Sequence, residues 1–422
     1  MRQPFDRREF LGRAAAGSAM VSLGAIAPDI LCRAAEASRS DQRILVVVEM
    51  AGGNDGLNCV VPHSHDVYLN SRKQLRIDRS DTLAVTDELG LHPSLRGFAD
   101  LLEAGHLAVV QGVGYPNPNR SHFESMDIWH SCFRKDVTRD DGWIGRYMQA
   151  MGMEDASDPP AIHLGRDKQP FALMSRDVRS VSIRSLDQFR FAKNQSMDLK
   201  AAIRELSQQR ELTQLVAEPE LQTDAGQNDL LAFVRSSTST AINASDQVEQ
   251  ASKQLARSSA DYPNTELGRQ LQTVAKLIAA GMQTRIYYVR IDGFDTHANQ
   301  AEAHAALLRD VSQGVTALTN DLKDRGEADR TLVMCFSEFG RRVAENASKG
   351  TDHGTAGPMF FAGQKLRSGL VGRMPSLSDL DHGDLKFHTD FRQVYAAVLK
   401  EWLECDPEQV LGGTFEPIEL FS

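Results

Sequence analysis

The sequence predicts an α/β fold: a central, mostly parallel sheet flanked by helices, with an inserted helical cap. Three observations predict it. Apolar runs at residues 43–48, 107–111, 286–291 and 331–336 show no apolar/polar alternation, as expected of strands covered on both faces. Polar or glycine-rich loops follow these runs, and segments of helical period return between them, which is the order that builds parallel sheets with crossovers. Residues 155–265 are dominated by long, polar-faced segments of helical period, and these predict the cap.

The elements follow in order. Residues 1–37 hold Arg7 and Arg8, an Ala/Gly-rich apolar stretch, and small residues at Ala35 and Ala37. Charge, apolar core and small-residue exit in that order predict a twin-arginine export leader cleaved before Ser38. That leader implies passage through the Tat translocon to a periplasmic or extracellular site. The apolar stretch is too short and glycine-rich for a stable membrane span. Residues 38–422 form the α/β domain. Strand 43–48 runs into a glycine-rich turn at 50–58. A helix at 93–104 sets Leu95, Phe98, Leu101 and Leu102 on one side. Strand 107–111 leads through a loop into a helix at 123–130. Within the cap, helices are expected at 199–215 and 230–255, and a more apolar helix at 267–282 returns to the sheet. Strand 286–291, helix 300–325, strands 331–336 and 358–362, and a last helix at 391–403 complete the chain.

Composition narrows the function classes. The 422 residues carry a formal charge of −10 with no basic stripe, so no nucleic-acid partner is expected. Cys59, Cys132, Cys335 and Cys405 lie far apart in no CxxC pattern, and Cys59 and Cys335 sit in or near apolar runs, as core residues do. The glycine turn GGNDG lacks the GxGxxG spacing of a dinucleotide site.

Chemistry concentrates where strands should end. Asp295 and His297 follow strand 286–291, Glu338 follows strand 331–336, and Asp352 and His353 lie in a glycine-bounded segment after it. Side chains at the carboxyl edge of an open α/β sheet face the usual ligand site. Oxygen and imidazole donors are what a divalent metal requires. The pattern points to a metal-dependent hydrolase.

The segments RREFLGRAA, VEMAGGNDGLNCVVP, QGVGYPNPNRSHFESMDIW, GWIGRY, GFDTHANQ, LVMCFSEFGRR, TDHGTAGPMFFAG and DFRQVYAAVLKEWL together resemble the twin-arginine-exported family of domain of unknown function 1501. That family is similar to the alkaline phosphatase and sulfatase superfamily. The resemblance implies an alkaline phosphatase-like sheet, bound divalent metal (zinc, manganese, calcium or magnesium) and an alcohol nucleophile attacking an anionic phosphate or sulfate ester. Position by position it implies Asp55, with Asn54 a rival, as a ligand after the first strand. It implies Ser121 as the nucleophile. His122, next in the chain, is expected either to contact substrate or to orient Ser121. Asp295 and His297 match a second ligand pair, with Asp292 an alternative partner for His297, and His353 matches a final ligand histidine. Where the superfamily carries an Asp-His pair this chain reads Ser337-Glu338, so a Glu stands in and a His is missing. Arg341 or Arg342 would clamp the anion.

Structural roles fit several of the same residues. Ser121 and Glu124 have the spacing of a capping box, Asn54-Asp55-Gly56 is good turn chemistry, and Glu338 has the spacing to pair with Arg341 or Arg342. His304 reads as a packed or surface histidine. The alternative to a hydrolase is a catalytically degenerate relative serving as an exported binding or assembly protein.

Overall fold

The computed structural model describes residues 42–154, 156, 158–183 and 260–422. The predicted leader and the expected helices at 199–215 and 230–255 lie outside the described residues. Nine strands form the main sheet: β1 (Ile44–Met50), β2 (Leu107–Gly114), β3 (Ala161–Leu164), β4 (Val181–Ile183), β5 (Ile286–Ile291), β6 (Thr331–Phe336), β7 (Gly357–Ala362), β8 (Gly369–Val371) and β9 (Thr389–Asp390). Their spatial order is β8-β2-β7-β6-β1-β5-β3-β4, with β9 added beside β2. Every pairing is parallel except those of β7, which runs against both β2 and β6. The sheet is therefore mixed and mostly parallel.

β1 lies at its centre, between β5 and β6, and all seven of its residues are buried. Leu45 and Val47 face a core shared with helices α2 (His122–Ser131), α3 (Trp143–Ala150) and α6 (Phe391–Ala397). Ile44, Val46 and Val48 face the opposite core, under α1 (Arg96–Glu103), α4 (Glu266–Ala279) and α5 (Gln300–Asp324). Coverage on both faces explains why the strand reads as an unbroken apolar run. The final helix continues from α6 as a π-helical turn over Val398–Trp402, and the Trp402 indole donates to the Ile44 carbonyl at 3.0 Å. Among the described residues no helix is long and apolar enough to cross a membrane.

One boundary is corrected. The cap was expected from residue 155, yet β3 and β4 fall at residues 161–183 and extend the sheet beyond β5. Strands of three or four residues are too short for their period to declare itself against neighbouring polar sequence.

The sheet places three loops side by side, because β1, β5 and β6 are parallel neighbours ending together. In register, Glu49 sits opposite Arg290 on one side and Phe336 on the other. The loop after β1 then presses against the loop after β5. Gly52 has φ +116°, and a Cβ there would stand 2.4 Å from the Asp295 backbone nitrogen. Gly52→Ala is thus expected to destabilise the protein by more than about 1 kcal/mol, measured by urea unfolding. A change within a few tenths would show that the two loops do not depend on this approach.

Candidate metal centre

Three elements converge at these strand ends. Asp295 and His297 stand on a tight turn after β5, closed by Thr296 N–H to the Phe294 carbonyl at 2.8 Å. His353 comes from a two-stranded ribbon after β6, Arg341–Glu345 paired with Thr351–His353. The ribbon docks on the turn through Thr351 N–H to the Thr296 carbonyl at 3.2 Å. Gly350 allows the close fit, since a Cβ there would lie 2.2 Å from the His297 carbonyl carbon. His122 is the first residue of α2. That helix is pinned by Trp129, stacked on Phe336 and Phe391, and by the Ser125 hydroxyl donating to the Glu338 carbonyl at 2.7 Å.

His122, Asp295 and His353 offer ligand atoms all within 4.8 Å of one another. The Nε2 atoms of His297 and His353 lie 3.0 and 3.1 Å from Asp295 Oδ1, and that of His122 lies at 3.4 Å. The His297 and His353 Nε2 atoms are 2.9 Å apart.

The opposite ring nitrogens fix which tautomer is present. His353 Nδ1 stands 2.8 Å from the Arg120 carbonyl, which can only accept. His122 Nδ1 stands 2.7 Å from Glu338 Oε1, and His297 Nδ1 is 3.4 Å from Asp352 Oδ1. Each oxygen calls for a proton on Nδ1, so in the neutral ring each Nε2 presents a lone pair. Three imidazole lone pairs and a carboxylate oxygen then face one another, an arrangement that repels unless a cation or a proton lies between them. Imidazoles held by oxygen acceptors are the usual surroundings of ligating histidines. The donor set fits a divalent metal, and three imidazoles with one carboxylate suit zinc or manganese better than calcium or magnesium.

The electrostatics agree. Burial opposes ionisation of Asp295, but its charged and polar neighbours, the hydrogen-bonding Arg341 guanidinium first among them, outweigh it and bring the pKa to about 2. The hydrogen bond to Glu338 raises the pKa of His122. For Asp352, the hydrogen bond from Asn346 is the main cause of a lowered pKa.

The remaining candidates take other positions. Glu338 is buried; it accepts Gly52 N–H at 3.0 Å and the Ser337 hydroxyl at 3.0 Å while holding His122. Asp352 holds His297 from behind. Both expected ligands thus stand one bond further out, orienting histidines.

Asp55 is spent elsewhere. Its side chain is fully buried and pairs with both terminal nitrogens of Arg72 and with the Gln300 amide. Burial raises its pKa, but the Arg72 charge outweighs this and the net shift is downward. Arg341 is 1% exposed and donates to the carbonyls of Gly52, Gly53, Phe294 and Thr351 and to Asp295, so it has no open face for an anion. Asp292 is exposed and pairs with Arg290 rather than with His297. His304, by contrast, is fully packed, 2.9 Å from the Asn54 side-chain oxygen, and burial lowers its pKa to about 4.

Ser121 occupies the N-cap of α2, but its side chain makes no cap hydrogen bond, and Glu124 pairs with Arg139 at 2.7 Å. The capping box is absent, and the Ser121 hydroxyl is exposed one residue from His122.

The chain matches, over residues 42–411, the family described as protein of unknown function (DUF1501). It belongs to the DUF1501 family. No curated protein matches it. Among solved structures it is similar to the PsFucS1 sulfatase from Pseudoalteromonas sp., with 8% identity and TM-score 0.39 over 92% of this chain and 75% of that one. It is also similar to the C-terminal periplasmic domain of EcEptC from Escherichia coli in complex with Zn, with 8% identity and TM-score 0.37 over 77% and 74%. A third is an alkaline phosphatase superfamily protein from Vibrio parahaemolyticus, with 8% identity and TM-score 0.33 over 79% and 63%.

Sequence analysis did not single out Glu49, His130 and Tyr288, which form a buried polar cluster beside this centre. The available signal was an acidic residue near the end of a central apolar strand. Two expectations separate the roles assigned above. Glu338→Gln and Asp352→Asn should each weaken zinc binding about 10–100-fold in a competition titration with a chromophoric chelator. Asp55→Ala should leave metal affinity nearly intact but cost about 3–5 kcal/mol of stability by stranding the Arg72 charge. A metal-free but fully stable Asp55 variant would instead make Asp55 a ligand.

Proposed function

We propose that this protein is an exported metal-dependent hydrolase of a phosphate or sulfate ester, with Ser121 as nucleophile. The observation that carries this reading is the convergence of three oriented imidazoles and Asp295 beside an uncommitted serine hydroxyl at the N-terminus of a helix. His122, His297, His353 and Asp295 would hold the metal. When bound, the metal supplies a Lewis acid that neutralises ester oxygens and lowers the pKa of a nearby hydroxyl.

The protein's own groups do the rest. The open amide hydrogens of the first turn of α2, with its positive dipole end, would face the non-bridging oxygens. Ser121 Oγ would attack in line, giving a covalent ester that water then clears. Asp295 stays ionised because Arg341 is bonded to it from the buried side.

The cleft in front of the centre measures about 530 Å³. It is lined by Glu49, Asp127, Asp292, Asp295 and Glu338 against only Lys168 and Arg290. An anionic ester would be repelled from such a surface, so a divalent cation is required for binding as well as for chemistry. The twin-arginine leader would place the protein in the periplasm or outside the cell, folded around its metal before export.

Ser121→Ala is expected to abolish turnover of aryl phosphate or aryl sulfate esters while thermal stability stays nearly constant, because the hydroxyl caps nothing. The control is elemental mass spectrometry on the native protein and on a variant with His297 and His353 both changed to Ala. Near-stoichiometric metal lost in that variant supports the hydrolase. Metal absent from both folded proteins would sink the reading and leave an exported binding or assembly protein.

A further inference from the structure

Phe123, Met126, Asp127 and His130, at i, i+3, i+4 and i+7 of α2, all line the same cleft as Asp295; Phe123 and Asp127 are exposed, while Met126 also packs against the core and His130 is buried. Residues at this spacing share one helix face. At the open end of this stripe Phe123 is 86% exposed, while Met126 meets the core beside Ile128 and Trp129.

His130 lies eight residues from His122, roughly 12 Å along the helix. Its Nε2 is 3.1 Å from Glu49 Oε2 and 3.0 Å from the Tyr288 hydroxyl. Tyr288 itself donates to Glu49 Oε2 at 2.5 Å, and Arg290 Nε lies 3.0 Å from Glu49 Oε1. Glu49 is a carboxylate in the central strand with 2% exposure. A charge buried there is costly unless fully partnered, and here its partners are the groups that it holds toward the cleft.

We infer that this end of the cleft is a recognition subsite for a neutral, hydroxylated ring belonging to the leaving group of the ester. The position of that ring relative to the broken bond rests on the hydrolase reading; the subsite itself does not.

The chemistry selects this ligand class among its rivals. A second anion would meet Asp127 and Asp292. A cation would find Glu49 already neutralised by Arg290. A wholly apolar group would strip water from Arg290, Lys168 and Asp127 and give nothing back. A ring bearing hydroxyls donates to carboxylates, accepts from guanidinium and ammonium, and does either with imidazole. Its C–H face is apolar and suits the open Phe123 ring. The distance from His122 to His130 leaves room for one such ring beyond the ester, so a ligand filling both ends joins an anionic group to a neutral polyhydroxylated one.

The test is direct binding of the full-length protein to an array of neutral and acidic oligosaccharides, followed by calorimetry on the strongest neutral ligand. The expected result is binding of a neutral oligosaccharide that persists in the His297→Ala/His353→Ala variant and after chelation. It should fall about tenfold in Phe123→Ala, as loss of an aromatic contact predicts, and more steeply in His130→Ala. Phe123 is exposed, so its variant should keep the native melting temperature. The inference is overturned if no neutral oligosaccharide binds above an albumin control, or if Phe123→Ala binds as the native protein does. Retained binding with no ester turnover would remove the hydrolase reading alone and leave the subsite standing.

Discussion

The Arg341 guanidinium is the contact on which the site depends. It is buried, and all three nitrogens of its planar fork donate. It joins the loop after β1, through Gly52 and Gly53, to the turn after β5, through Phe294 and Asp295, and to the ribbon strand at Thr351. Three segments far apart in sequence are thereby held at one point. The carboxylate of Asp295 is the only anion among these partners, so the residue central to the candidate metal centre is also the counter-ion of the staple. A buried guanidinium without that counter-ion would be costly, which couples the integrity of the loops to the ionisation of the site.

Around this staple lies a ring of oriented imidazoles. Glu338, Asp352 and the Arg120 carbonyl each stand behind one histidine. They belong to the loop after β6, the ribbon and the loop before α2, so no single element defines the site. Orientation here comes from oxygen acceptors, two carboxylates and a carbonyl, placed by the geometry of these three segments. The excess of carboxylates along the cleft follows from the same economy. Carboxylates that orient histidines, balance Arg341 and hold His130 leave the cleft acidic.

Much of the fold was open to inspection in the sequence. The four unbroken apolar runs correspond to β1, β2, β5 and β6, because strands covered on both faces have no polar positions to interrupt them. Asp295, His297 and His353 were visible as metal-competent residues for a related reason: strand ends next to glycines leave few structural uses for a histidine beside an aspartate. The roles of Asp55, Glu338, Asp352 and Arg341 were not visible. Each was placed by residue type at the carboxyl edge of the sheet, but a carboxylate there can point to a metal, to a histidine or to a buried arginine. The choice is made by partners such as Arg72, 17 positions from Asp55, or His122, 216 positions from Glu338.

The sequence by itself determined the layer order: apolar period and loop composition are local properties, and they specify strands, helices and the sheet edge at which the donor residues gather. It also determined the inventory of donor atoms near that edge. Only the tertiary structure decided which donors meet, which nitrogen of each imidazole faces inward, and which face of α2 is left to the cleft. Those outcomes depend on close backbone approaches at Gly52 and Gly350 and on a buried guanidinium joining three loops. They are contacts between segments distant along the chain, and no local pattern encodes them.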